Sequence, residues 1–305
     1  MKKFLLTRIL IMLSTVFLIS LIVFILVQKQ PGNPYYNSMK PGMKKADIER
    51  YLRDKGYYDP IHIKYVKWLG QMAKFDMGYS IQYKKPVIDI IKEKLPNTLK
   101  ITVPSMILSV VLSVVLGIYT AYKEGSLIDK ILNILTTIGI CIPTFIIAII
   151  FIKFLGFEWK LLPISGSKDY KSFIMPIMTF TYIQSSSLIR YLREFIIKEK
   201  DKNYIFYTQT KGTTLYYALK KHAFLNVLIS FMTIVLMQLP TLFAGAVITE
   251  TMFVIPGIGK LNYDAVTMRD YPVIMGILVI GVSLVVISNF LAELMQYLYK
   301  RKHYE

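Results

Sequence analysis

Long uncharged runs alternate with short charged ones along this chain, and the uncharged runs are the length of membrane spans. Six stretches lack Asp, Glu, Lys, Arg and His: residues 9–27, 101–122, 131–152, 173–189, 223–249 and 271–292. Each approaches the roughly 20 residues that a helix rising about 1.5 Å per residue needs to cross a bilayer. The pattern predicts an all-α polytopic membrane protein with six transmembrane helices. The fourth run is the most polar, holding Pro176, Gln184, Ser185, Ser186 and Ser187. Such a helix is expected to face other helices or a wet path rather than lipid.

The segments between the runs carry their own periodicities. Residues 29–98 form the one sizeable extramembrane region, opened by Pro31-Gly32-Asn33-Pro34. Within it, 44–55 and 60–73 read as short amphipathic helices and 76–80 as a turn. Leu95-Pro96-Asn97-Thr98 leads into the second span, with the proline expected at the helix start. The chain thus divides into an N-terminal helix (1–28), an extracytoplasmic region (29–98) and a core of five further helices (99–305). A tight inner turn spans 123–130. In the third span Gly139, Pro143 and Thr144 predict a kink, although a transmembrane proline is also tolerated without a role. Residues 203–226 read as helix, glycine turn at Gly212, helix, with Leu215, Tyr216 and Leu219 on one face and Lys220 and Lys221 in water. A solvated connecting loop fits that periodicity equally well.

Charge sets the orientation. The chain is 54% hydrophobic and carries a formal net charge of +18. With the N-terminus inside, Lys2, Lys3, Arg8, Lys123, Lys130, the cations of 190–222 and Lys300–Lys302 are cytoplasmic. The short outer loops keep few: Lys160, Lys168, Lys171, Lys260 and Arg269. The basic segment 29–100 then lies outside, which the positive-inside rule permits because loops beyond about 60 residues translocate largely regardless of charge. Both termini are expected in the cytoplasm of a multi-pass plasma-membrane protein. Juxtamembrane cations facing anionic lipid account for the charge without nucleic acid. No small-residue cleavage site follows the first run, so it is read as an uncleaved span. Cys141 is the single cysteine, and His62, His222 and His303 are far apart, so neither an internal disulfide nor a metal site is expected.

The chemistry of the chain is that of a conduit rather than a catalyst. The spans hold no paired acids, histidine cluster or activated nucleophile, which argues against an intramembrane enzyme. Gly259-Lys260 lacks the upstream glycine of a phosphate loop, and no nucleotide-binding motif occurs elsewhere. The run 250–260, ETMFVIPGIGK, ends the fifth span; its proline and two glycines permit a turn. That turn is either a gate or receptor-docking surface built from Glu250, Phe253, Pro256, Gly257, Gly259 and Asp270, or a plain helix cap. Gln184, Ser185, Ser186, Gln238 and Asn289 either line a path or hydrogen-bond between helices.

Taken together, these residues resemble the B-type membrane permease of peptide-type ABC importers, the oligopeptide, dipeptide and nickel group. The likeness runs through Pro31-Gly32-Asn33-Pro34, Asp59-Pro60, Tyr65, Trp68-Leu69, Asp76, Gly78 and Ser80. It continues through Leu95-Pro96, Thr98-Leu99, Gly125-Ser126, Asp129, Pro143, Phe145, Leu162-Pro163, Gly166, Arg190, Arg193, Glu250 to Gly259 and Arg269-Asp270-Tyr271-Pro272. The resemblance implies a type I importer permease fold and no cofactor. It implies a heterodimer with a second permease, two cytoplasmic ATP-binding subunits, and an extracytoplasmic solute-binding protein. It also makes 190–222 an ATPase-coupling loop, with Tyr204, Lys211, Gly212, Leu215, Leu219, His222 and Asn226 as its residues. Where relatives carry small residues and arginines, this chain has Phe206-Tyr207-Thr208-Gln209-Thr210, which implies a reshaped socket on the partner. The cargo implied is a peptide, with nickel or a metal chelate as the alternative. A self-sufficient channel would need no inner docking loop.

Overall fold

The computed structural model describes residues 2–29, 33, 35, 44–167 and 169–304. Pro31, Gly32 and Pro34, expected to end the first span, and Lys168, assigned to an outer loop, lie outside the described residues. The elements are helical from end to end. In order they are α1 (Lys2–Gln28), α2 (Lys45–Asp54), α3 (Ile61–Met72), α4 (Val87–Tyr122), α5 (Leu127–Cys141) and α6 (Thr144–Phe151), the last continuing as a π-helix to Glu158. Then come α7 (Ile174–Lys200), α8 (Asn203–Thr210), α9 (Leu215–Ala218), α10 (Phe224–Met252), α11 (Ile258–Met268) and α12 (Tyr271–Tyr304). A π-turn at Leu219–Ala223 joins α9 to α10 without a break.

Among the described residues, four helices are long and apolar enough to cross a membrane, and α5 with α6 makes a fifth if the bent pair is one span. The run 173–189 lies almost wholly in α7, a single 27-residue helix whose polar content sets it apart from the other four. Two local expectations change. Pro96 sits inside α4, because Val87, Ile90 and Ile91 already bury one helical face ahead of it. The kink at Pro143 is instead a break of 110° between α5 and α6. Proline pushes the preceding residue out of the helical region, and Ile142 is extended at φ −82°, ψ 129°.

The chain forms two compact units, 1–96 with 257–286 and 97–256 with 287–305. In the first, Tyr65 on α3 packs edge-on against Phe24 of α1 at 5.2 Å and stacks on Trp68 at 5.7 Å. Its hydroxyl reaches Ser20 at 3.0 Å, so α3 rests on α1 through a satisfied polar contact. Asp270, fully buried, accepts from the Ser80 hydroxyl and from the Ile81 and Gln82 amides at 3.1 Å each. One carboxylate therefore folds the 80–83 turn onto the start of α12.

In the second unit, α4 and α7 run parallel along a stripe of small residues. Ser105, Ser109 and Ser113 each donate to the carbonyl one turn back and approach the carbonyls of Ile177, Thr181 and Ser185 at 3.3, 3.3 and 3.5 Å. The constant offset of 72 residues continues to Gly117, where a Cβ would stand 3.3 Å from the Ile189 carbonyl. Small residues every fourth position let helices approach closely where lipid supplies no hydrophobic drive. On the other side of α7, a Cβ on Gly139 would collide with Ser186 Oγ. The polar fourth run is thus explained by its neighbours: α7 is the helix the others pack around.

Candidate functional site

The segment 203–222 is built on the last turn of α7. Glu199, buried there, accepts hydrogen bonds from Lys202 and from the Tyr204 hydroxyl, and Asn226 on α10 stands beside both Glu199 and Tyr204. Burial alone would raise the Glu199 pKa, but the hydrogen bonds from Lys202 and Tyr204 outweigh it and hold the carboxyl below its ordinary value. Burial first, and then the hydrogen bond to Glu199, push the Tyr204 phenol well up. The end of α7 is therefore tied to the start of α8, with α10 beside them. Gly212, at φ +86°, makes the turn that follows α8, and Thr214 caps α9 by accepting from the Tyr217 amide. A residue with a Cβ is strained at such a φ.

What the segment presents outward is aromatic and basic. Phe206 and Tyr207 are 71% and 60% exposed, and Lys211 lies 4.4 Å from the Tyr207 ring centroid. Tyr217 and Lys221 are exposed and bonded at 2.7 Å. Leu219 points the other way: it is fully buried with Ile205 and Ala218 in the main core, so its side chain is a structural anchor and not a docking contact. Leu215 and His222 are half-buried, and Tyr216 packs on Tyr122 at 5.4 Å. The apolar patch expected from helical spacing exists, but its Leu219 corner faces inward.

The candidate gate residues between 250 and 270 divide between the units. In the second, Glu250 is fully buried and accepts from Thr98 Oγ at 2.6 Å; Phe253 and Ile255 are buried, and Asn97 donates to the Pro256 carbonyl at 3.1 Å. The apolar cluster at 252–255 is mostly core, with Val254 alone strongly exposed. In the first unit, Gly257 precedes α11 in an extended conformation, Gly259 is buried within that helix, and Asp270 holds the 80–83 turn. The backbone freedom expected of the two glycines is not used there. The left-handed residues are Val254 (φ 53°) and Arg269 (φ 58°), and Arg269 terminates α11.

Gln184, Ser185 and Ser186 form one buried turn of α7, where Ser185 and Ser186 both donate to the Tyr182 carbonyl. Gln238 is half-buried on α10, and Asn289 is exposed on α12. The Oε1 atoms of Gln184 and Gln238 and the hydroxyls of Thr181 and Thr249 are buried without a hydrogen-bond partner among the described residues. Such atoms are rare in a helix bundle unless water or a polar ligand reaches them.

Several residues that read separately in the sequence prove to be partners. Arg193 makes a bidentate pair with Asp129 at 2.8 Å in each arm, and Asp129 also accepts from the Gly125 amide at 3.0 Å. Thr98 meets Glu250, Ser80 meets Asp270, and the Gly166 amide donates to the Phe253 carbonyl at 3.1 Å. Glu199 had no local signal, being one charge in a charged stretch. The serine stripe had one: its four-residue spacing.

Residues 113–303 match the family described as "Binding-protein-dependent transport system inner membrane component", and residues 1–102 match its N-terminal companion family. The chain is 32% identical to the oligopeptide transport system permease protein AppB of Bacillus subtilis (strain 168), over 97% of each chain. It is 29% identical to the dipeptide transport system permease protein DppB of Lactococcus lactis subsp. cremoris, again over 97% of each. It is 28% identical to the metal-staphylopine import system permease protein CntB of Staphylococcus aureus, over 96% of each.

Proposed function

Because the chain belongs to the binding-protein-dependent transport system inner membrane component family, we propose that it is one membrane permease of an ATP-driven importer of peptides. The observation that carries this reading is similarity over nearly the whole length to oligopeptide and dipeptide permeases. The chain itself performs no covalent chemistry in this proposal. A second permease completes the path, two separate ATP-binding subunits supply the energy, and an extracytoplasmic binding protein delivers the cargo. Both termini lie in the cytoplasm and all six uncharged runs cross the membrane, α7 among them.

A remote ATPase moves a permease only through an element whose arrangements it biases differently. The segment 203–222 fits that need. Its exposed Phe206, Tyr207 and Tyr217 offer an apolar surface flanked by Lys211 and Lys221, while the Glu199–Tyr204 hydrogen bond, with Asn226 beside it, transmits displacement to α7 and α10. The partner-free polar atoms of Gln184, Gln238, Thr181 and Thr249 favour a wetted path beside these helices. Glu250, Phe253, Pro256 and Asp270 are proposed to shape its outer mouth as rigid structure rather than as a mobile plug.

Reconstituted vesicles holding both permeases, both ATPases and the binding protein test this. Peptide uptake should require ATP, and Phe206→Ser with Tyr207→Ser should abolish it without loss of assembly. Uptake without ATP would make the chain a channel. Uptake of a metal chelate but of no peptide would give the cargo named for the staphylopine relative.

A further inference from the structure

A cavity of 460 Å³ opens in the first unit where α1 ends, and the transport reading leaves it unused. Its floor is apolar, made by Phe24 and Val27 of α1, Trp68 of α3 and Met275 of α12. Its edge carries Arg53, Lys55 and Lys64 beside the carboxylate of Asp54, an excess of positive charge. Lys67 also borders it but is paired with Asp59 at 2.7 Å. Lys64 is drawn inward, donating to the Tyr57 carbonyl at 2.6 Å, and burial lowers its pKa against the opposing pull of Asp59. The Trp68 indole N–H is buried with no acceptor among the described residues.

Beyond the cavity, α1 is an apolar helix that the described residues cover little: 11% of its most apolar stretch is buried, and Ile22 and Leu26 are exposed on the side away from Phe24. The segment carrying the rim is itself unusual. Residues 29–100 hold fifteen Lys and Arg against seven Asp and Glu, and neither a packed core nor transport chemistry calls for that excess. An apolar floor opening onto a lipid-facing helix, under a rim of cations, matches a molecule with an acyl chain and an anionic head. We propose that this cavity binds a phospholipid with an anionic headgroup, its phosphate among Arg53, Lys55 and Lys64 and its chain descending past Val27 along α1. The site stands on the geometry of this unit; only the leaflet it occupies rests on the proposed orientation.

The chain has two tryptophans, so Trp159→Phe leaves Trp68, in the cavity wall, as the single indole reporter. The full-length protein is reconstituted in mixed vesicles containing brominated phosphatidylglycerol in unbrominated phosphatidylcholine, or the reverse labelling. Brominated phosphatidylglycerol should quench Trp68 at a lower mole fraction than brominated phosphatidylcholine. Arg53→Glu and Lys55→Glu, both on exposed positions, should each erode that preference by about fivefold, which corresponds to roughly 1 kcal/mol per cation near an anionic surface. Equal quenching by the two lipids in the parent, or a preference untouched in both variants, overturns the assignment. Relief of quenching by excess glycerol phosphate would show that the cations take a free phosphate instead of a lipid. Relief by peptide alone would make the cavity a cargo site and equally refute the lipid. ATP-dependent uptake is read separately, so loss of lipid preference and failure of the transport function are distinguishable.

Discussion

The pair between Asp129 and Arg193 is expected to be the strongest single tie between α5 and α7. Both of its bonds are 2.8 Å, and the side chains are 4% and 20% exposed. Deleting one member of a fully buried ion pair costs about 3–5 kcal/mol, because the survivor is left charged and dry. Here water reaches part of the guanidinium, while Gly125 and Asn133 still donate to the carboxylate. The expected cost of Arg193→Met is therefore about 2 kcal/mol, and that of Asp129→Ala about 2–3 kcal/mol. A double-mutant cycle should return a coupling of about 1–2 kcal/mol. The neighbouring pair of Lys200 and Glu124, at 3.0 Å but 25% and 40% exposed, provides the control. Its cycle should give less than about 0.5 kcal/mol, because water screens and competes for exposed charges. Unfolding of the purified protein in mixed detergent micelles measures both cycles under one condition. If Arg193→Met is no more destabilising than Lys200→Met, burial of the pair does not govern its strength and the reasoning fails.

Tyr204→Phe should destabilise the protein at neutral pH by about 1.5–3 kcal/mol, the net worth of one hydrogen bond to a charged partner. Glu199 is held below its unfolded pKa, so its contribution is present above that value and lost as pH falls through the folded one. The gap between parent and variant should close as the pH falls from the ordinary glutamate range through the depressed folded value, and a gap that persists in strong acid contradicts the assignment. Gly212→Ala, at φ +86° with open space around the Cβ, should cost about 1 kcal/mol from backbone strain alone; an unchanged unfolding midpoint would refute that. Gly139→Ala must push α5 from α7, since the new Cβ also stands 2.9 Å from Ser186 Cβ, and about 1–3 kcal/mol should be lost. Ser186→Gly should restore most of it, and no rescue would place the strain elsewhere. Leu219→Lys should fail to fold in the membrane, because it buries an ammonium in the core; a well-assembled variant would show that the leucine is not an anchor.

Much of this protein is legible along one dimension. Runs of uncharged residues announce spanning helices because a bilayer cannot satisfy a bare backbone, so length and hydropathy suffice without any knowledge of neighbours. Helix–turn–helix at 203–226 follows from local rules too, with Gly212 where a left-handed residue is required. Tertiary structure decided which way side chains face. Leu219 and Tyr216 share a helical spacing pattern, yet one is buried and the other meets Tyr122 at the surface, because the neighbours each side chain packs against decide which of them is covered. The break at Pro143 reached 110°, which no single residue specifies, since the angle depends on what each half packs against. Partnerships across long separations were invisible for the same reason. Asp129 and Arg193, Thr98 and Glu250, and Ser80 and Asp270 are 64, 152 and 190 residues apart, and only the folded chain brings each donor to its acceptor.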